Sequence, residues 1–138
     1  MLVTQKKQYA LRAIFELARR EGEHPIKSSV LAQSQAIPLR FLEVIMGQLK
    51  RAGLVVSKRG AAGGYLLAKQ PNQLYVGEIF RALDREDNAQ TCVSCTSKRN
   101  CPFLGDCVFM ELWEKAQTAV DDVYDRTTIQ TLLEAEKR

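Results

Sequence analysis

Histidine is almost missing from this chain: His24 is the only one in 138 residues. That count excludes a two-histidine metal centre. His24 itself lies in an acidic-flanked turn beside Pro25, more than sixty residues from the nearest cysteine. It reads as a surface turn residue, and no hydrolytic triad can be assembled around it. Phosphate-cradling loops are absent too. There is no Gly-x4-Gly-Lys-Ser/Thr and no Gly-x-Gly-x2-Gly, and Gly60-x2-Gly63-Gly64 does not satisfy the second pattern. With acid/base pairs and cofactor loops lacking, an enzyme is not expected. Long apolar runs are missing as well. The longest, Leu54 to Val56 and Tyr65 to Ala68, are far too short to span a membrane. Lys6 and Lys7 are not followed by an apolar stretch of signal-peptide length. The expectation is a soluble, unexported, cytoplasmic protein without membrane partners. No internal repeat or low-complexity tract occurs.

What is present is ordinary in bulk. The chain is 46% hydrophobic and 26% charged, which excludes wholesale disorder, and its length suits one domain or one small domain plus an extension. The net charge of +4 hides a division. Residues 1–75 hold twelve Lys/Arg against four acids, +8, and residues 76–138 hold eight against twelve, −4. A basic half beside an acidic half suggests that one part meets a polyanion and the other does not.

Apolar periodicity organises the basic half. Tyr9, Ala13 and Leu17, with Ala10, Ile14 and Ala18, form one stripe of a helix from about Thr4 to Arg20. Thr4 suits its N-cap, and Arg19 and Arg20 suit its C-terminal end. After a turn containing Pro25, a short second helix is predicted, capped by Ser28 or Ser29 with Val30, Leu31 and Ala32 facing inward. Following a break at Gln35 to Pro38, a third helix runs from Leu39 to Arg51. It has Phe41, Leu42, Ile45, Met46 and Leu49 as its buried face and Gly53 as its stop. Helix, tight break, helix is the helix-turn-helix outline.

Two short β-type runs come next, Leu54 to Ser57 and Tyr65 to Ala68, joined by Lys58-Arg59-Gly60-Ala61-Ala62-Gly63-Gly64. Glycines let this turn take positive φ and approach a surface closely. A hairpin directly after a candidate recognition helix is a wing. Lys58, Arg59 and Gly60 at its tip are candidate DNA-contacting residues, the arginine suited to phosphate or to the minor groove. Val76 to Asp84 is a fourth, short helix. From about Pro102 or Leu104 to Asp125 the chain is helical again, with Phe109, Trp113, Ala116, Val120 and Val123 in one stripe and Val108, Leu112, Ala119 and Tyr124 beside it. So wide an apolar face, on so small a protein, points to pairing with a second copy. Thr127 to Leu133 continues the packing, and Glu134 to Arg138 reads as a frayed tail. The fold class is therefore mainly α with a small β-hairpin wing, a winged helix-turn-helix plus a long C-terminal dimerisation helix. The divisions are a DNA-binding domain at 1–84, a cysteine-rich loop at 85–107, and the dimerisation helix and tail at 108–138.

All four cysteines fall in one window, Cys92-x2-Cys95-x5-Cys101-x5-Cys107. Clustered thiolates in an unexported protein favour metal or redox chemistry over structural disulfides. One C-x2-C pair with five-residue intervals fits structural zinc less well than an iron–sulfur cluster. A metal-free thiol switch is the remaining reading.

In order along the chain, several motifs stand together. Tyr9-Ala10-Leu11-Arg12-Ala13 and Phe41-Leu42-Glu43 are followed by Ala52-Gly53-Leu54-Val55 and by Ser57-Lys58-Arg59-Gly60-Ala61-Ala62-Gly63-Gly64-Tyr65-Leu66-Leu67-Ala68. Cys95-x5-Cys101-x5-Cys107 completes the set. With these the chain resembles the Rrf-two transcriptional regulators of IscR, NsrR and RirA type, over nearly its whole length. The resemblance implies a homodimer on a near-palindromic double-stranded DNA operator. It implies an iron–sulfur cluster, two-iron or four-iron, on Cys95, Cys101 and Cys107, with Cys92 as a possible fourth ligand. Leu39, Arg40, Glu43 and Val44 would face the major groove and Arg59 the minor groove, with Thr4, Lys6 and Ser29 toward phosphate. Such a regulator would sense iron, cluster supply, redox state or nitric oxide. Other members take their fourth ligand from positions that are Met110 and Gln8 here, and Pro38 stands where a capping serine is common. The alternatives are a thiol-switch regulator of the same fold using Cys92 and Cys95, or an iron–sulfur electron carrier or scaffold.

Overall fold

A computed structural model of the chain describes residues 3–21, 24–84, 102–103 and 106–138. Helix α1 (Gln5–Arg19) begins where Thr4 Oγ1 accepts the backbone N–H of Lys7 at 3.2 Å, satisfying one of the helix's unpaired donors. Its apolar stripe is buried as the periodicity requires: Ala10, Ala13, Ile14, Leu17 and Ala18.

Helix α2 (Ser28–Gln35) departs from expectation at its start. Lys27, not a serine, occupies the N-cap position, and no side chain caps the helix. The cause lies upstream. Ile26 exchanges two backbone hydrogen bonds with Tyr65, at 3.0 and 2.8 Å, and holds the chain extended into Lys27, so Ser28 and Ser29 fall inside the first turn. Only Leu31 and Ala32 of this helix are buried, whereas Val30 faces solvent. Ala36, at φ 52°, turns the chain sharply into α3 (Leu39–Arg51).

Helix α3 buries Leu42, Ile45, Met46, Gln48 and Leu49. Phe41, expected on that face, is 63% exposed. It lies beside the first turn of α1, where Gln5 and Lys6 offer no apolar cover. Gly53, at φ 77°, ends the helix, and Leu54 N–H closes back on Leu49 C=O at 3.0 Å.

Strands β1 (Val55–Lys58) and β2 (Gly64–Leu67) pair antiparallel, Val55 opposite Leu67 and Lys58 opposite Gly64. Both begin one residue away from the predicted runs, nearer the turn. A 3₁₀ turn at Pro71–Gln73 leads into α4 (Val76–Asp84), which buries Val76, Ile79, Phe80 and Leu83.

Helix α5 (Met110–Arg126) starts later than predicted, after a turn in which Met110 N–H reaches Cys107 C=O. Pro102 and Gly105 are poor residues for a helix interior, which favours the shorter element. The tail corrects a second expectation. The packing expected of Thr127 to Leu133 is made by α6 (Ile129–Glu136), capped by Thr128, and this helix runs on through Glu134 to Glu136, which pairs with Arg19 at 3.2 Å. Tyr75 and Thr128 bridge, and Ile129 is fully buried among the residues of α1 to α4.

Ile129→Ala should lower unfolding stability by about 2–5 kcal/mol, the cost of emptying a fully buried aliphatic site. Urea denaturation followed by circular dichroism checks this, and a loss below about 1 kcal/mol would place α6 outside the cooperative core.

Candidate nucleic-acid interface

The helix pair α2–α3 is held to α1 by polar contacts as well as by its core. Glu16 is almost fully buried, though it sits on the apolar side of α1. Its carboxylate accepts from Arg20 Nε at 2.7 Å, Arg19 Nη1 at 3.4 Å and Gln35 Nε2 at 3.0 Å. Arg12 donates to the carbonyl of Gln35. The C-terminal end of α2, just before the turn into α3, is thereby clamped.

The outward face of α3 carries Arg40, Glu43, Val44 and Gly47, with Leu39 at its first position; of these only Gly47 is part-covered. Arg40 and Glu43 make no ion pair or hydrogen bond among the described residues. Val44, 58% exposed, borders an apolar cleft of about 370 Å³ formed with Tyr9, Phe41 and Ile45, and Lys6 stands at its edge.

The wing is shaped by glycine at two points. A Cβ on Gly63 would overlap the carbonyl of Lys58 across the turn, which Gly63 N–H closes onto Gly60 C=O at 2.9 Å. A Cβ on Gly64 would overlap the backbone of Ile26. That close approach lets Ile26 pair with Tyr65, so β2 is flanked by β1 on one side and by the entry to α2 on the other. The hairpin is tied to the helix-turn-helix by backbone bonds. Lys58, Arg59 and Gly60 stand exposed at its end. Thr4 and Ser29 are also exposed, Lys6 is half-buried, and the Thr4 hydroxyl already accepts the α1 capping bond.

The cations divide by location. Lys7, Arg19, Arg20, Lys69, Arg81 and Lys115 all lie within 4.0 Å of carboxylates. Lys6, Lys27, Arg40, Lys50, Lys58 and Arg59, on the start of α1, the helix-turn-helix and the wing, have no carboxylate partner among the described residues; nor do Arg12, which donates to Gln35, and Arg126, Lys137 and Arg138 toward the C-terminus.

Of the four cysteines, Cys107 is half-buried three residues before α5, while Cys92, Cys95 and Cys101 lie outside the described residues. The described residues alone contain no group of three or more Cys, His, Asp or Glu able to hold a metal. Met110 opens α5, and Gln8 is exposed on α1; neither offers a thiolate, imidazole or carboxylate.

Helix α5 has no buried residue. Its expected single stripe divides into two. Trp113, Ala116, Val120 and Tyr124 are half-buried, with Tyr124 edge-on to Phe80 of α4 at 4.9 Å, whereas Leu112 and Val123 are 57% and 62% exposed. Gly77 lets α5 cross α4 closely, because a Cβ there would overlap the Asp125 carboxylate, itself 2.6 Å from Arg81.

Reasoning from the residues missed Glu16, the Ile26 bridge and Gly77. Each leaves a trace in the chain: one acid in the apolar face of a basic helix, paired glycines before Tyr65, and a glycine at the second position of α4.

The family described as "Rrf2: Iron-dependent Transcriptional regulator" matches residues 3–135. A Neisseria meningitidis protein provisionally named an HTH-type transcriptional regulator is 36% identical over 135 residues, 97% of this chain and 88% of that one. The structure of T. potens IscR superposes with a TM-score of 0.79 at 31% identity, covering 99% of this chain and 88% of the other. CymR, the global cysteine regulator of B. subtilis, superposes with a TM-score of 0.75 at 30% identity, covering 98% of both chains.

Glu16→Ala should cost about 1–3 kcal/mol of stability, since it strands the partially buried donors of Arg20 and Gln35. Glu16→Gln should recover part of this, because it keeps an acceptor. Thermal unfolding of both variants checks the order, and an Ala variant as stable as the parent contradicts the clamp.

Proposed function

The chain belongs to the Rrf2 family of transcriptional regulators, and from that premise we propose a dimer that reads a near-palindromic operator and responds through an iron–sulfur cluster. In this reading α3 enters the major groove, presenting Leu39, Arg40, Glu43 and Val44 to base edges. The wing lays Arg59 into the minor groove, with Lys58 and the bare backbone of Gly60 against the sugar–phosphate chain. Thr4, Lys6 and Ser29 face phosphates, Thr4 by the hydroxyl proton that its capping bond leaves free to donate. The observation that carries this reading is a cluster of cations without carboxylate partners among the described residues: Lys6, Lys27, Arg40, Lys50, Lys58 and Arg59 lie on the helix-turn-helix, the wing and the adjoining start of α1, and the others apart from Arg12 are confined to the C-terminal end at Arg126, Lys137 and Arg138. A cation without a protein counter-charge can release condensed counterions when it meets phosphate, and that release supplies much of the affinity for DNA.

Dimerisation is assigned to α5. Phe109, Leu112, Ala116, Ala119 and Val123 recur at alternating intervals of three and four residues, the seam of a helix pair, with alanine at two central positions permitting close approach. The exposure of Leu112 and Val123 supports this. A two-fold axis along that seam would set two copies of α3 on successive turns of the duplex.

Cys95, Cys101 and Cys107 are assigned as cluster ligands. Their thiolates match the soft donor chemistry that iron–sulfur clusters need. With Met110 and Gln8 unsuited, Cys92 is the fourth ligand on this reading. A bound cluster would supply a centre whose integrity depends on iron supply, oxidants or nitric oxide. The chain's own part is to carry that state to the DNA face. Cys107 lies three residues before α5, and α5 rests on α4 through Tyr124–Phe80 and Asp125–Arg81. A shift of α5 is therefore felt by the core that seats α3. The second reading, a thiol switch at Cys92-x2-Cys95, is favoured by the close spacing of those two thiols and by the likeness to a cysteine regulator.

Anaerobically purified protein should be brown and contain iron and sulfide, and Cys101→Ala should lose both. Colourless protein that binds its operator equally with and without iron, and that forms a Cys92–Cys95 disulfide on mild oxidation, would select the thiol switch. Arg59→Ala should weaken operator binding by about 1–3 kcal/mol and lower the salt slope, while leaving thermal stability within about 0.5 kcal/mol. Affinity and slope from gel shifts at several salt concentrations check this.

A further inference from the structure

The outward face of α3 contains a feature that the fold does not use. Val44 lies mid-helix and is 58% exposed, and Phe41 beside it is 63% exposed. A β-branched residue in water at a helix interior gains nothing from burial and is a weaker helix former than Ala, Gln or Lys. The two side chains share an apolar cleft with Tyr9 and Ile45, rimmed by Lys6. An apolar floor with a lysine at its edge is an unusual surface to set against DNA, whose phosphates and base edges are almost wholly polar. The major groove displays one apolar group, the C5 methyl of thymine.

One turn nearer the N-terminus, on the same face, stands Arg40. It has no partner among the described residues, and its planar fork matches the O6 and N7 acceptors of guanine. Four residues of helix advance roughly 6 Å along its axis, comparable to one or two base-pair steps.

We propose that Val44 and Phe41 form a thymine-methyl reader and Arg40 a guanine reader, so that each operator half-site carries a guanine and a thymine one or two steps apart. The proposal rests on the reading of α3 as the major-groove helix and adds to it which bases are chosen and by which atoms.

The test begins with operator selection from random duplexes by the full-length protein, purified anaerobically. Each thymine of the selected site is then replaced by deoxyuridine, which removes one methyl and leaves every hydrogen-bonding group in place. At one or two positions per half-site the parent protein should bind about threefold to fivefold more weakly, the worth of one buried methyl. Val44→Ala should bind the parent operator more weakly and be indifferent to deoxyuridine at that position, closing the double-mutant cycle. Arg40→Ala should likewise be indifferent to 7-deazaguanine at the neighbouring guanine, where the parent loses affinity. Failure to select any sequence would overturn the major-groove assignment of α3 itself. A specific operator with no deoxyuridine-sensitive position, or a sensitivity that survives in both Val44→Ala and Phe41→Ala, would overturn this inference and leave that assignment standing.

Discussion

Four helices, α2, α3, α4 and α6, pack on α1, and the small size of its inner face permits this crowding. Three of its five buried apolar residues, Ala10, Ala13 and Ala18, are alanine, so neighbouring helices can approach closely around Ile14 and Leu17. Close packing of that kind leaves little freedom to shift one helix without moving the others. The position of α3 is a consequence of it, as is the position of the wing, which continues from α3 and is bonded through Tyr65 to the entry of α2.

This arrangement explains why binding chemistry and structural chemistry separate so cleanly. Ion pairs such as Arg81–Asp125 and Arg19–Glu136 brace helix against helix or terminus against core. Lys27, Arg40, Lys50, Lys58 and Arg59, without such partners, stand exposed on the helix-turn-helix and the wing. Stability does not depend on those residues, so their identity is free to follow an external partner. The same holds for Val44 and Phe41, whose exposed carbon gains nothing from the core.

Helix α5 joins the body formed by α1 to α4 along two routes. Gly77 lets α5 cross α4 at the Asp125–Arg81 contact, with Tyr124 seated edge-on against Phe80. Three residues on from α5, Ile129 enters the common core. Motion at the Cys107 end of α5 therefore meets a rigid body at its other end. A lever of this kind is a physical basis for connecting the cysteine window with DNA affinity, as the proposed function requires.

Most elements were legible from local pattern. The stripe of α1, the length of α3, the bounds of α4 and the glycine stop at Gly53 all rest on contacts within a few residues, and periodicity and capping chemistry report those directly. The charged tip of the wing was legible for the same reason. Where local reading failed, a partner distant in sequence was responsible. Ile26 pairing with Tyr65 displaced the cap of α2, the polar start of α1 left Phe41 uncovered, and the Glu136–Arg19 pair carried helix α6 into a tail expected to fray from Glu134. Helical period states that a residue is on a face. Which faces meet another element, and which remain open to a ligand, depends on how the helices are assembled, and no short window of sequence contains that information.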